Sequence, residues 1–348
     1  MKIIRLLLFP MSLLYALAVV IRNFAYDLKI FRFKRFSLPV ISIGNLAVGG
    51  AGKSPMTEYV IRLLKDRYKV STLSRGYGRK TRGFLYVEQS STAAEVGDEP
   101  LQFKQKFPEI TVAVCEKRVD GIEKLQSNHD VILMDDAFQH RAVKPGLSLL
   151  LFDYNQIFKP QWFLPTGDLR EPLSGRNRAD ILVITKTPAV LSDSKKAEIL
   201  RRIKPFPNQQ VFFSYIKYES LFSPDNSLSR PLSSLNEETR VILLTGIANP
   251  KPLVEEVGEL TRHVQHHQYP DHHLFTQKNI LKLAQAFEKL KSVDKLIVTT
   301  EKDMQRLRSS EGFELLKDLP IFFLPISVKI HEHEDRFNSL ILNYVTGN

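Results

Sequence analysis

The chain has 348 residues, 43% apolar and 25% charged, the balance of a folded protein long enough for two domains. Its 16 glycines and 19 prolines exclude collagen-like and low-complexity classes, and the single cysteine, Cys115, excludes a disulfide framework and a cysteine-based zinc site. Lysine and arginine, 49 against 38 acidic residues, leave a net charge of +11, which favours nucleic acid, an anionic membrane surface or a phosphorylated substrate as partner.

Residues 6–21, LLLFPMSLLYALAVVI, carry no charge; Lys2 and Arg5 precede them and Arg22 follows. The run is slightly shorter than the roughly 20 apolar residues of a spanning helix. Three readings are open: a membrane anchor or interfacial helix, a signal peptide with Ala16-Leu17-Ala18 as its cleavage site, and a buried helix. The next residues favour the first. Arg22, Lys29, Arg32, Lys34 and Arg35 interleave with Phe24, Tyr26, Phe31, Phe33 and Phe36. Basic residues beside an apolar segment attract anionic headgroups by roughly 1 kcal/mol each, and aromatic rings favour the interface. The positive flank points to the cytoplasmic side. Such interleaving also suits single-stranded nucleic acid, but beside an apolar helix the membrane is preferred.

After Pro39, β-rich runs at 40–43, 69–73, 111–115, 131–134 and 149–152 alternate with helical stretches such as 55–65 and 119–126. This alternation predicts a mostly parallel sheet covered by helices on both faces. Residues 74–100 and 158–180 are long polar stretches. Runs at 240–244, 296–300 and 320–324, with a helix over 276–290, predict a second, smaller α/β unit. Runs at 181–185 and 211–217 are either linker strands or the last strands of the first domain. The expected division is a membrane-associated helix and basic flank at 1–36, a first α/β domain at 37–205, linker strands at 206–239 and a smaller α/β domain at 240–348.

Residues 40–57, VISIGNLAVGGAGKSPMT, run from a strand through a Gly-rich turn and Lys-Ser into a helix. Gly49, Gly50 and Gly52 open backbone conformations whose N–H groups can line an anion-sized nest, and the helix start adds partial positive charge. Ala47, Val48, Gly49, Gly50, Ala51, Gly52, Lys53 and Ser54 are the expected nucleotide-binding residues. Lys53 would reach the terminal phosphates and Ser54 would ligate Mg²⁺. Pro55 suits a first helical turn. Ala47 stands where the G-x-x-x-x-G-K-[ST] pattern has its first glycine. Further on, residues 130–141, DVILMDDAFQHR, end a strand in Asp135 and Asp136, candidate Mg²⁺ ligands, with Gln139, His140 and Arg141 following into the same crevice.

Together GNLAVGGAGKSP, SRGYGRK, GDEP, DDAFQH, LREPL, the PDHH segment and TTEKD, after an apolar N-terminal helix, resemble the tetraacyldisaccharide 4'-kinase (lipid A 4'-kinase) family. That family tolerates another small residue at the place of Ala47, and usually has glycine at the place of Ala137. The resemblance implies a P-loop NTPase-like α/β fold in two domains joined by a β-hairpin-like linker, with ATP in the cleft. It implies transfer of the ATP γ-phosphate, with Mg²⁺, to the 4'-hydroxyl of a tetraacylated disaccharide 1-phosphate at the inner face of the inner membrane.

The resemblance also implies roles for single residues. Asp98 of GDEP matches the catalytic base, and Glu99 its acidic neighbour near the metal or the phosphate-binding lysine; from the sequence alone Asp98 reads equally as a helix N-cap. His272 matches a histidine that orients or tunes the base, with His273 adjacent. Arg170 matches an arginine that stabilises the transferring phosphoryl group. Arg75 and Arg79 would bind the substrate's 1-phosphate or the nucleotide, and Gln139 and His140 the substrate or a metal-bound water. Thr300-Glu301-Lys302-Asp303 would contact nucleotide, close the domain or serve the fold. An acceptor with four acyl chains leaves the bilayer only at about 0.8 kcal/mol per CH₂, which explains a membrane segment on the enzyme. The competing reading is a membrane-attached switch or assembly factor that hydrolyses nucleotide without an acceptor; a nucleic-acid-dependent NTPase is disfavoured.

Overall fold

The structure, a computed structural model, describes residues 2–347. Two compact units divide the chain: residues up to Ile216 together with those from Val328 onward, and Lys217–Ser327.

The larger unit holds a nine-stranded sheet in the order Ile326–Ile330, Gln210–Tyr218, Ile181–Thr185, Leu147–Asp153, Val40–Asn45, Val131–Asp135, Val70–Ser74, Thr111–Val114, Leu85–Tyr86. From Gln210–Tyr218 to Thr111–Val114 every neighbouring pair is parallel; Leu85–Tyr86 joins antiparallel. The central strands, VISIGN, VILMD and ILVIT, are apolar almost throughout because helices cover both faces, and every residue in them is buried. Helix Lys53–Leu64 lays Met56, Val60, Ile61 and Leu64 on one face of the sheet.

The division differs from that expected of the sequence. Strand Gln210–Tyr218 pairs with Ile181–Thr185, so both runs belong to the large sheet and not to a separate linker. The chain returns through Ile326–Ile330, and helix Glu334–Thr346 ends in the larger unit, not the smaller. Phe337, Ile341 and Val345 are buried in its core, each worth about 2 kcal/mol of apolar burial. Phe337 meets Phe212 and Tyr59 edge-on, at 5.0 and 5.7 Å between ring centroids, and the Val40 N–H donates to Tyr344 Oη at 3.0 Å.

The smaller unit has a six-stranded sheet in the order Ser229–Arg230, Leu221–Phe222, Ile321–Leu324, Lys295–Thr300, Arg240–Thr245, His263–Gln268, parallel across its last four strands. The helix expected over 276–290 is Gln277–Lys289, capped by Thr276.

The N-terminal apolar run forms Lys2–Leu7 and Phe9–Asp27, the latter the one helix among the described residues long and apolar enough to cross a membrane. It is nonetheless two-faced. Ser12, Val19 and Asn23 are buried, whereas Leu13, Leu14, Leu17, Ile21 and Phe24 are each more than half exposed. The inward stripe is tied to the body: Ser12 Oγ donates to the Phe163 carbonyl at 3.1 Å, Tyr15 Oη to the Arg170 carbonyl at 3.2 Å, and Phe9 meets Trp162 edge-on. Arg22, read from the sequence as part of the headgroup-binding flank, lies inside this helix and pairs with buried Glu171 at 2.8 Å. Lys29, Arg32 and Arg35 of that flank are exposed.

Candidate active site

Strand Val40–Asn45 runs between Val131–Asp135 and Leu147–Asp153, with Ile43 beside Asp135 and Asn45 beside Leu151. The Gly-rich loop and the two aspartates therefore leave the same carboxyl edge of the sheet side by side, where open α/β sheets bind ligands. Gly52, at φ 80°, turns the loop into helix Lys53–Leu64. Ala47 needs no such freedom: it bridges Leu169, and the neighbouring Val48 N–H donates to the Asp168 carbonyl at 2.7 Å.

Lys53 Nζ lies 3.3 Å from Asn45 Oδ1 and 3.7 Å from Asp136 Oδ1. Ser54 Oγ donates to Glu99 Oε1 at 2.6 Å, and Thr57, one turn on, donates to Asp135 Oδ1 at 2.9 Å. Asp135 is fully buried. Burial, then the charges of Glu99 and Asp136, push its carboxyl up to about 7, against the pull of Lys53 and Thr57. For Asp136 burial also opposes ionisation, but hydrogen bonds from Arg170 and the charge of Lys53 prevail and hold it below the ordinary carboxylate range. Arg170 grips Asp136 with both terminal nitrogens, at 2.8 and 3.1 Å, and also reaches Asn45 Oδ1.

Position 136 takes the left-handed conformation, at φ 46°, whereas Ala137 does not, so alanine in place of the family's glycine meets no backbone penalty. Gln139 Nε2 donates to the Asn45 carbonyl at 2.7 Å, and its Oε1 is buried without a partner. Burial, with the nearby guanidinium groups of Arg118, Arg75 and Arg22, pushes His140 down to about 4, so it is neutral at physiological pH. Arg75 is exposed. Arg79 is not: its side chain is 3% exposed and pairs with Glu116 at 2.6 Å.

Asp98 is the first residue of helix Asp98–Lys106, and Gly97, at φ 93°, is the N-cap instead. A side chain at Gly97 would sit 3.0 Å from the Tyr77 carbonyl, so glycine lets the SRGYG loop pack on this helix start. The helix is clamped to helix Lys53–Leu64 twice, by Ser54 with Glu99 and by Glu58 with Gln102 and Lys106.

The remaining expected residues belong to the smaller unit. His272 stands at φ 59°, with Arg306 Nη2 3.1 Å from its Nδ1. A guanidinium only donates, so Nδ1 accepts and the ring proton sits on Nε2. His273 instead stacks on Tyr269 and meets Asn279, which separates the two adjacent histidines. Buried Asp303 of TTEKD binds the Gly246 N–H, Thr300 Oγ1 and Arg306, a structural clamp behind His272.

Sequence reasoning missed several residues. Asn45 joins Lys53 to Arg170. Arg118 is buried, its charge felt by Asp135 and Asp136, and burial lowers it to about 10. Thr57 was detectable as the residue one helical turn after Ser54; Arg118 carried no local signal.

Ser54, Glu99, Asp135 and Asp136 offer only oxygen donors, which suits Mg²⁺, and a cation would offset the burial and repulsion that raise Asp135. No group of three His, Cys, Asp or Glu among the described residues makes a metal cage by itself. Mg²⁺ commonly completes its shell with water and substrate phosphate, so this set fits an ion that arrives with a nucleotide.

The family described as tetraacyldisaccharide-1-P 4'-kinase matches residues 4–346. Among relatives, the tetraacyldisaccharide 4'-kinase of Bacteroides thetaiotaomicron is 44% identical over 98% of this chain and 93% of its own. That of Flavobacterium johnsoniae is 42% identical over 100% and 99%. The crystal structure of LpxK from Aquifex aeolicus in complex with ATP superposes with a TM-score of 0.74 at 28% identity, covering 98% of this chain and 99% of that one. A Gly-rich strand-to-helix loop, paired strand-end carboxylates and similarity along the whole chain lead to one conclusion: the chain belongs to the tetraacyldisaccharide 4'-kinase family.

Proposed function

We propose that the protein transfers the γ-phosphate of ATP to the 4'-hydroxyl of a tetraacylated disaccharide 1-phosphate, a step of lipid A biosynthesis. The observation that carries this reading is the convergence, at one sheet edge, of the Gly-rich loop, the Ser54–Glu99 pair and the Asp136–Arg170 pair. The loop residues 47–52 and Lys53 hold the phosphates; Ser54, Glu99, Asp135 and Asp136 hold Mg²⁺. When bound, Mg²⁺ offsets charge on the phosphoryl oxygens. Asp98 takes the proton of the acceptor hydroxyl as that oxygen bonds to the γ-phosphorus and ADP departs. Arg170 stabilises the spreading negative charge. Arg75, Gln139 and His140 bind substrate.

The outward apolar face of Phe9–Asp27 supports an interfacial placement on the cytoplasmic leaflet of the inner membrane. A helix hydrogen-bonded to the body along its other face is suited to lying in the interface, not to crossing it. Lys29, Arg32 and Arg35 would meet the anionic headgroups.

The test is transfer from γ-labelled ATP to tetraacyl-disaccharide 1-phosphate in mixed micelles with Mg²⁺. Labelled lipid that requires both Lys53 and Asp98 supports the reading. Release of inorganic phosphate alone, indifferent to lipid, would turn it into the nucleotide-hydrolysing switch.

A further inference from the structure

The tip of the phosphate loop is poorly supported by packing, although Ala51 and Gly52 behind it are buried. Val48, Gly49 and Gly50 are exposed, and a cavity of about 540 Å³ opens against Gly49, Gly50 and Ala51. Hydrogen bonds must therefore set its shape. Two of these come from residues outside the Lys-Ser motif, at the end of strand Ile181–Thr185. Thr185 Oγ1 donates to the Ala51 carbonyl at 2.8 Å, and Lys186 Nζ donates to the Gly50 carbonyl.

We propose that Thr185 and Lys186 are positioning residues for ATP, which pin two successive carbonyl groups of the phosphate loop outward so that its N–H groups stay turned toward the phosphates. The inference rests on residues 47–54 being the phosphate loop. The physical basis is the planar trans peptide, in which C=O and the next N–H point in opposite directions. With the Ala51 carbonyl held by Thr185, the Gly52 N–H faces away from that strand. With the Gly50 carbonyl held by Lys186, the same applies to the Ala51 N–H, which in this structure rests on the Gly49 carbonyl at 2.9 Å.

The anchor is built rather than incidental. Asp153 stands beside Thr185 in the parallel pair, and its Oδ2 accepts from Lys186 Nζ at 3.0 Å, which aims the ammonium at the loop. Lys186 takes a left-handed backbone at φ 57°, unusual for a lysine and a conformation that persists only where surroundings impose it. The next residue supplies that constraint: the Thr187 N–H donates to the Ser214 carbonyl at 3.0 Å, and its hydroxyl meets His331 Nε2 at 2.7 Å. The loop is thus held from two adjacent strand ends, the rigid elements on which precise sites depend.

The experiment compares Thr185→Val, Thr185→Ser, Lys186→Met and Lys53→Ala in the full-length enzyme. It measures KM for ATP and for the lipid, Kd for a non-hydrolysable ATP analogue, and the melting temperature without nucleotide. The expected result is a rise of roughly tenfold in KM for ATP and analogue Kd for Thr185→Val and Lys186→Met. The lipid KM and the melting temperature should hold, and Thr185→Ser, which keeps the hydroxyl, should restore ATP binding. Unchanged analogue affinity in both variants overturns the proposal. So does a rise in lipid KM together with a fall in melting temperature, the mark of a merely structural pair. If Lys53→Ala also binds the analogue normally, the phosphate-loop reading itself has failed, and a loss confined to Lys53→Ala refutes only the Thr185–Lys186 role.

Discussion

Arg170 and Asp136, 34 residues apart, meet through two parallel hydrogen bonds, Nη1 to Oδ2 at 3.1 Å and Nη2 to Oδ1 at 2.8 Å. Lysine cannot reproduce that fork. Arg170→Lys should lower kcat by about 100-fold, the scale for loss of one charge-stabilising donor. The guanidinium also helps keep Asp136 ionised, so its loss raises that carboxyl toward its ordinary range. The acid limb of the pH–rate profile should then move to higher pH. An unmoved limb would disconnect Arg170 from Asp136 in the working enzyme.

Lys53 and Asp98 should fail in different ways. Lys53→Ala removes the ammonium beside Asn45 and Asp136 and should cost nucleotide affinity and turnover together. Asp98→Ala should keep ATP affinity and lose roughly 10²- to 10⁴-fold in kcat, the range for a general base. Near-normal turnover by Asp98→Ala would reject it as the base; equilibrium nucleotide binding beside steady-state kinetics separates the cases.

The two faces of helix Phe9–Asp27 predict separable defects. Leu17→Ser and Phe24→Ser, on the outward face, should weaken binding to anionic vesicles and leave turnover in mixed micelles intact. Arg22→Ala and Tyr15→Phe act inward, on Glu171 and on the Arg170 carbonyl. They should reduce micellar kcat by roughly 10-fold, because small displacements of a charge-stabilising group are costly. Equal vesicle and micelle profiles for the two classes would mean that the helix acts only as an anchor.

Asp135 makes a stability prediction with a definite sign. Its folded value, about 7, lies above its unfolded value of 3.8. Its stabilising contribution is therefore complete below about pH 4 and is lost as pH rises through 7. In metal-free protein, Asp135→Asn should raise the melting temperature by several degrees at pH 8, and the gain should vanish near pH 4. Mg²⁺ should stabilise the wild type at pH 8 more than the variant. Parallel melting curves across pH would mean that Asp135 does not carry this burden.

The strands around the Gly-rich loop, the loop itself and the two strand-end aspartates were legible in the sequence. Each is a local pattern: an apolar run buried on both faces, glycines where the chain turns, charges where a strand stops. Alternating strands and helices likewise sufficed for a mostly parallel sheet. What each charge touches was decided only in the folded chain. Arg22 reaches Glu171, Arg79 folds back on Glu116, and Lys186 reaches Gly50 across separations of 149, 37 and 136 residues. The return of Phe337, Ile341 and Val345 to the larger unit is of the same kind, since an amphipathic helix specifies the face it buries but not the partner. Hydrophobic periodicity is written residue by residue, whereas the pairing of distant side chains follows from strand order, which places sequence-remote strand ends next to one another.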